Sequence, residues 1–252
     1  MHTFKRMVSK KILSLQHPHV KKWIQLRNEA AARSEENQVL LIGEKMVREA
    51  AERAPLKTLI SVDPINLPAH ESYLVTPEIL KKISGVQSPD GVAGIVSLPN
   101  FSSFLHKSRI LLLDRISDPG NLGSILRTAS AFGWDGALLT PDSVDPFNEK
   151  ALRASRGASL IFPTRSIFPE EIVQWINTQD LQLWVADTHG TPFTKIPPPT
   201  SILLALCNEG AGPSPWLESI GKKLTIPQSP QIESLGVAAA GAILLHYFGK
   251  FP

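Results

Sequence analysis

Arg109-Ile110-Leu111-Leu112-Leu113-Asp114-Arg115-Ile116-Ser117-Asp118-Pro119-Gly120-Asn121-Leu122-Gly123-Ser124-Ile125-Leu126-Arg127-Thr128-Ala129-Ser130-Ala131-Phe132-Gly133-Trp134-Asp135-Gly136-Ala137-Leu138-Leu139-Thr140 is the stretch that decides the fold. Ile110 to Leu113 is a short apolar run ended by Asp114, a Pro-Gly turn opens a helix from Leu122 to Phe132, and Gly136 to Thr140 is a second run. Strand, loop, helix and strand in that order build a parallel sheet. The pattern returns with a helix at Glu170 to Asn177, strands at Leu181 to Ala186 and Ile202 to Leu206, and a closing apolar helix at Ser234 to Tyr247. Pro197-Pro198-Pro199 is a stiff connector between two of these units. Residues 109–252 therefore read as one α/β domain.

Working back toward the N-terminus, Pro99 to Ser108 has no clear period and reads as a linker, 99–108. Before it, residues 12–98 alternate helix and strand as a smaller α/β unit. Its expected elements are a helix over Val20 to Ala32, a strand at Val39 to Ile42, a helix at Glu44 to Arg53 and a strand at Leu56 to Val62. Pro64 to Ser72 reads as loop. Thr76-Pro77-Glu78 is a helix start, with Thr as N-cap and Pro in the first turn, Gly85 is a stop, and Val92 to Leu98 is a final strand. A length of 252 residues accommodates the two domains.

Residues 1–11 form a basic arm, and the first 28 residues hold Lys5, Arg6, Lys10, Lys11, Lys21, Lys22 and Arg27 with no acidic residue. Such an end attracts polyanions. The same pattern occurs in mitochondrial transit peptides, but Ser is sparse here and Lys outnumbers Arg. A lone cysteine, Cys207, cannot form an internal disulfide, no Cys/His cluster has zinc spacing, and no apolar run reaches the roughly 18 residues that cross a bilayer. The expectation is a cytoplasmic, metal-free protein that does not enter a membrane.

Three loops rich in Gly, Pro and small polar residues follow strands of the second domain: Ser117 to Gly123, Cys207 to Gly212 and Pro227 to Ser234. Ligands of open α/β sheets bind where such loops converge, so one shared site is the economical reading. The first loop lacks both the Walker spacing and the full dinucleotide fingerprint. Arg127, about six residues past Asn121, can hold an RNA phosphate in bidentate fashion; a surface ion pair is the alternative. Asn121 alone reads as a turn or cap residue. Glu209, between an Asn and a Gly after a buried strand, either binds something or caps the segment Ser214 to Ile220. Ser234 has the character of an N-cap for the last helix. His189 and His246 read as structural or surface residues.

Together the loops resemble the motifs of the SpoU (TrmH-like) ribose 2′-O-methyltransferases of the SPOUT class. Leu113 to Ala129 is similar to that family's first motif, Asn208-Glu209-Gly210 to its second, and Ile226-Pro227 with Glu233-Ser234-Leu235 to its third. Arg153, Ser155, Gly157 and Ala158 resemble a smaller block between them. In the first domain, Asn37 to Glu49 and Gln87 to Val92 resemble the family's substrate-binding domain, which has a ribosomal-protein L30-like fold. The resemblance implies a C-terminal trefoil knot, a homodimer, and an enzyme that methylates RNA from S-adenosylmethionine, ribosomal RNA rather than transfer RNA. It implies active-site roles for Asn121, Arg127, Glu209 and Ser234. Cofactor contacts, largely through the main chain, fall at Cys207, Gly210, Ile226, Pro227 and Leu235.

A methyl on a sulfonium needs little activation, so alignment of the 2′-oxygen and help with its proton are the main tasks. A guanidinium stays charged in proteins and has no acceptor, which suits Arg127 to phosphate clamping and hydroxyl orientation rather than proton abstraction. Two departures stand out. Cys207 occupies a position usually held by Gly, where its bulk would narrow the pocket, and Gly236 stands where the family usually has Asn. Loss of one such amide hydrogen bond costs about 1 to 3 kcal/mol, which slows an enzyme without abolishing it. These departures leave open a catalytically weak or inactive RNA-binding homologue acting in ribosome assembly or regulation. A dinucleotide-dependent α/β enzyme is the other alternative.

Overall fold

A computed structural model of the chain describes residues 9–101 and 108–250. Most of the 99–108 linker, and Lys5 and Arg6 of the basic arm, lie outside the described residues. Two compact units emerge, the first running to Pro99 and taking in Phe147–Glu149, the second holding the other residues from Asn100 onward.

The first unit contains β1 (Lys10–Ile12), α1 (Pro18–Asn28), α2 (Ala30–Glu36), β2 (Gln38–Ile42), α3 (Glu44–Arg53), β3 (Leu56–Ser61), β4 (Ala69–Val75), α4 (Pro77–Ser84) and β5 (Val92–Ser97). Its sheet has the order β1-β4-β3-β5-β2. Val20, Trp23 and Leu26 of α1 pack with Ile79, Leu80 and Ile83 of α4 on one side of the core. Thr76 caps α4 by accepting from the Ile79 amide at 3.3 Å, and Gly85 ends it with φ 67°. Both are the residues marked for those roles by the sequence.

Three expectations are corrected here. The helix over Val20 to Ala32 is two helices, broken at Glu29, whose extended backbone ends α1. The buried Arg33 guanidinium crosses the break and donates to the carbonyls of Leu26 and Arg27 at 2.7 and 3.0 Å, satisfying α1's last turn. The stretch Pro64 to Ser72 is not all loop, because β4 starts at Ala69 and pairs in parallel with β3. Its residues His70 and Glu71 are both exposed, which hid the strand from a reading by apolar runs. Third, Lys10 and Lys11 are not arm but β1, paired with β4. The basic stretch also neutralises itself locally: Lys10 pairs with Glu71 at 3.2 Å and Lys22 with Glu36 at 2.5 Å. Arg27 donates to the Lys82 and Ile83 carbonyls at the end of α4, at 3.0 and 2.8 Å.

The second unit contains β6 (Arg109–Asp114), α5 (Pro119–Ala131), β7 (Gly136–Leu139), α6 (Glu149–Ser155), β8 (Thr164–Ser166), α7 (Pro169–Gln179), β9 (Gln182–Pro192), β10 (Ile202–Cys207), α8 (Pro215–Ile220), β11 (Lys222–Thr225) and α9 (Val237–Phe248). Every pairing in its six-stranded sheet, order β11-β9-β10-β6-β7-β8, is parallel. Alternate residues of β6 and β10 face opposite ways, so each strand feeds two cores. Leu111, Leu113, Leu204 and Leu206 join α5 and α9 in one, and Ile110, Leu112, Leu203 and Ala205 join Ile172 of α7 and Leu217 of α8 in the other. Strands buried on both faces read as unbroken apolar runs, which is why β6 and β10 were legible. The short β8, exposed at two of three positions, and β11, with one fully buried residue in four, were not.

Close helix contact depends on Gly123. A Cβ there would lie 2.4 Å from the Ala151 carbonyl oxygen and 2.7 Å from the Ala154 Cβ, so α5 and α6 can meet only because the side chain is absent. Gly123→Val is expected to lower stability by about 1 to 3 kcal/mol through overpacking. Thermal unfolding checks this; a wild-type Tm would show that the helices part at no cost.

Candidate active site

β6 and β10 lie side by side at the centre of the sheet, and the chain leaves β6 toward β7 but reaches β10 after forming β9 on the opposite flank. This reversal of strand order is where open α/β sheets leave a crevice beyond their strand ends. The loop that leaves β6 runs into α5, whose first turn carries Asn121, and the loop that leaves β10 carries Glu209.

Asp114, the last residue of β6, is fully buried. Its carboxylate accepts from the Ser214 amide at 2.8 Å, from the Ser214 hydroxyl at 2.7 and 2.8 Å, and from the Thr140 hydroxyl at 3.3 Å. One side chain thus ties together the ends of β6 and β7 and the start of α8. Arg115 follows with φ 55°, a left-handed turn that sends its guanidinium to the Gly212 carbonyl at 2.9 Å. In return the Asn208 side-chain amide donates to the Arg115 carbonyl at 3.0 Å, and its oxygen accepts from the amides of Gly210 and Ala211, each at 3.0 Å. The two loops therefore clasp each other reciprocally. Asp114, Arg115, Asn208 and Ser214 were not singled out as site residues by spacing. The one local signal was a carboxylate ending an apolar strand.

Asp118 caps α5 by accepting from the Asn121 amide at 2.7 Å, which leaves the Asn121 side chain free for another partner. That partner is Glu209: the Asn121 amide nitrogen donates to a Glu209 carboxylate oxygen. Neither bland reading holds, since Asp118 rather than Asn121 is the cap of α5 and Ser214 rather than Glu209 is the N-cap residue of α8. Arg127, two helical turns along α5, is exposed and forms no ion pair or hydrogen bond among the described residues. Its guanidinium is available to an anion.

The third loop, residues 226–236, leaves β11 and enters α9. Ser234 is not the N-cap expected of it; Gly236 holds that position with φ 74° and ψ 143°, a backbone region that only glycine adopts readily. Ser234 is exposed, and so are Ile232 and Leu235, at 54% and 39%. Two large apolar side chains in the open, on a loop whose Gln228 side chain donates to the Ile232 and Glu233 carbonyls, offer the kind of surface that a purine covers. An added Cβ at Gly236 would meet nothing within 4 Å, so open space adjoins the loop. These features fit a nucleoside-containing cofactor. Cys207 does not narrow that space, because its side chain packs in the core with Leu112, Ala205 and Leu217. Burial, followed by the nearby Asp114 charge, pushes the Cys207 thiol well above its usual pKa. His189 is an exposed residue near the end of β9, its amide donating to Asp187, and His246 meets Phe132 edge-on at 5.1 Å. Among the described residues no group of three or more His, Cys, Asp or Glu could hold a metal ion, and no helix is long and apolar enough to cross a membrane.

Residues 108–246 match the model of the SpoU rRNA Methylase family. The chain belongs to this family. Across nearly its whole length it is 35% identical to a protein of Synechocystis sp. described as an uncharacterized tRNA/rRNA methyltransferase, covering 93% of this chain and 92% of the relative. It is 30% identical to the 23S rRNA (guanosine(2553)-2′-O)-methyltransferase RlmP of Bacillus subtilis, covering 94% and 98%. The crystal structure of an AdoMet-bound rRNA methyltransferase from Sinorhizobium meliloti superposes with a TM-score of 0.83 at 26% identity, covering 94% and 96%. Membership in the SpoU family sets aside the dinucleotide-dependent alternative. The SpoU motifs of this chain lie on the β6, β10 and β11 loops described above.

Two outcomes test this geometry. Asp114→Ala, which strands the Ser214 and Thr140 donors, is expected to lower stability by about 3 kcal/mol in denaturant unfolding; a change below about 1 kcal/mol would show that the loops hold themselves. Because the raised pKa keeps Cys207 a thiol, the native protein at pH 8 is expected to react with a disulfide reagent far more slowly than the unfolded chain. Equal rates would show that the side chain leaves the core.

Proposed function

We propose that this SpoU protein transfers a methyl group from S-adenosylmethionine to the 2′-hydroxyl of a ribose in ribosomal RNA. The observation that carries the reading is the Asn121–Glu209 hydrogen bond across the two clasped loops, with the unpaired Arg127 on the same helix. When bound, the cofactor supplies a methyl group on a positively charged sulfur, an electrophile that needs no metal. Cys207, Gly210, Ile226, Pro227 and Leu235 hold it, mainly through backbone groups, with the purine against the exposed apolar side chains of the third loop.

The chain's own residues then position and deprotonate. Asn121 gives an amide hydrogen to Glu209, which fixes the carboxylate and turns the Asn121 carbonyl oxygen toward the incoming hydroxyl. Glu209 keeps one oxygen for the hydroxyl proton, lost as the new carbon–oxygen bond forms. Arg127, always charged, clamps the adjoining phosphate and sets the ribose in line. Ser234 lends a hydroxyl to the nucleotide from the third loop. Gly236 brings no side chain to this network, and its backbone angles would strain an Asn placed there.

The protein is further read as a cytoplasmic homodimer with a trefoil-knotted catalytic domain and no metal. Its first domain, residues 12–98, assists in holding RNA. The relatives named above are methyltransferases, which favours catalysis over a purely RNA-binding role. Radiolabelled methyl transfer to total RNA from a strain lacking the gene tests the reading. The expected product is a 2′-O-methylated nucleotide in the ribosomal fraction. Arg127→Ala is expected to lower kcat/KM at least about 100-fold, and Glu209→Gln about as much, with cofactor affinity retained. Cofactor binding without transfer to any RNA would sink the proposal.

A further inference from the structure

Asn121, Ser124, Arg127 and Ala131 recur at three- and four-residue intervals along α5, so they line one face of the helix. Beside this face runs a groove of about 290 Å³, lined by Ser124, Arg127, Thr128, Ala131, Phe132 and Ala154. It exists because Gly123 draws α5 and α6 together while the small Ala131 and Ala154 leave the cleft above the contact unfilled. Helical rise sets Arg127 roughly 9 Å beyond Asn121 and Ala131 roughly 15 Å beyond it. The groove therefore begins at Ser124, about one helical turn beyond Asn121, and leads away from it along α5.

Its chemistry is one-sided. Neither α5 nor the lining contains a carboxylate. Arg127 is exposed and unpaired among the described residues, and the exposed Ser124 hydroxyl likewise makes no hydrogen bond among them. Thr128 donates its hydroxyl to the Ser124 carbonyl at 2.8 Å and so offers an acceptor and a methyl group rather than a donor. An unpaired guanidinium and a hydroxyl donor beside the small Ala131 and Ala154 suit a phosphodiester with its sugar, and the Phe132 ring, packed edge-on against His246, adds apolar wall.

We propose that this groove is a second RNA subsite, holding the sugar–phosphate backbone of the nucleotides that flank the methylated ribose, with Ser124 and Arg127 as donors and the Ala131 end as its exit. The inference rests on the function proposed above and adds the path of the strand. Backbone recognition there tolerates any flanking base, so sequence selectivity must come from other surfaces.

Ala131 is exposed, so a charged side chain fits there without disturbing the core. Protein-free ribosomal RNA from a strain lacking the gene is the probe. Its affinity is measured for the wild type, Ala131→Glu and Ala131→Lys, with Gln174→Glu and Gln174→Lys on the exposed side of α7 as a charge-matched control. Cofactor affinity serves as the check on folding. Phosphate contacts predict that Ala131→Glu weakens RNA binding about tenfold, that Ala131→Lys tightens it about threefold, and that the Gln174 pair differs by less than about twofold. Ser124→Ala is expected to raise KM for RNA about threefold with kcat unchanged. Ala131 variants that differ from each other no more than the Gln174 pair would overturn the subsite. A wild type that binds RNA but transfers no methyl would overturn the function alone, with the subsite still decided by the two charge pairs. A wild type that binds no ribosomal RNA would overturn both.

Discussion

A carboxylate with no exposure to water must be compensated by hydrogen bonds, or its desolvation cost outweighs what it stabilises. Asp114 meets that requirement with donors from Ser214 and Thr140, both distant in sequence. The loops leaving β6 and β10 cannot drift apart without stranding this charge. The clasp between Arg115 and Asn208, and the meeting of Asn121 with Glu209, are built on that restraint.

Rigidity and access are divided between elements. α5 is a firm mount, pressed on the sheet by Leu122, Ile125 and Leu126 and on α6 through Gly123. Side chains on its outer face can be held in place while remaining open to a large ligand, which is what an enzyme that positions two substrates needs. The 226–236 loop is the opposite case, with apolar side chains facing outward and its path into α9 set by the backbone freedom of Gly236. Such a loop suits a small ligand gripped by main-chain groups.

The two departures from the family's usual motifs have different meanings in three dimensions. Cys207 is neutral in effect because strand alternation turns its side chain into the core. Gly236 carries no side chain at the start of α9, where its backbone angles favour glycine and an added Cβ would meet open space. The basic N-terminal stretch changes meaning in a similar way. Lys10, Lys22 and Arg27 serve ion pairs and a helix end, which leaves fewer free cations for RNA than a count of charges implies.

Local chemistry alone determined much of this molecule. Apolar runs located the doubly buried strands β3, β6 and β10, a Thr-Pro-Glu start and a Gly stop bounded α4, and the motifs on three loops pointed to Asn121, Arg127 and Glu209. Elements whose pairing, not composition, makes them strands were illegible: β1, β4, β8 and β11 carry exposed polar residues, and only neighbours distant in sequence complete them. The same holds for the site. That Asn121 serves Glu209 rather than its own helix, and that Asp114 braces the loops around them, depends on hydrogen bonds spanning 88 and 100 residues. No local pattern encodes such distances; the sheet's reversal of strand order does, by bringing the ends of β6 and β10 together.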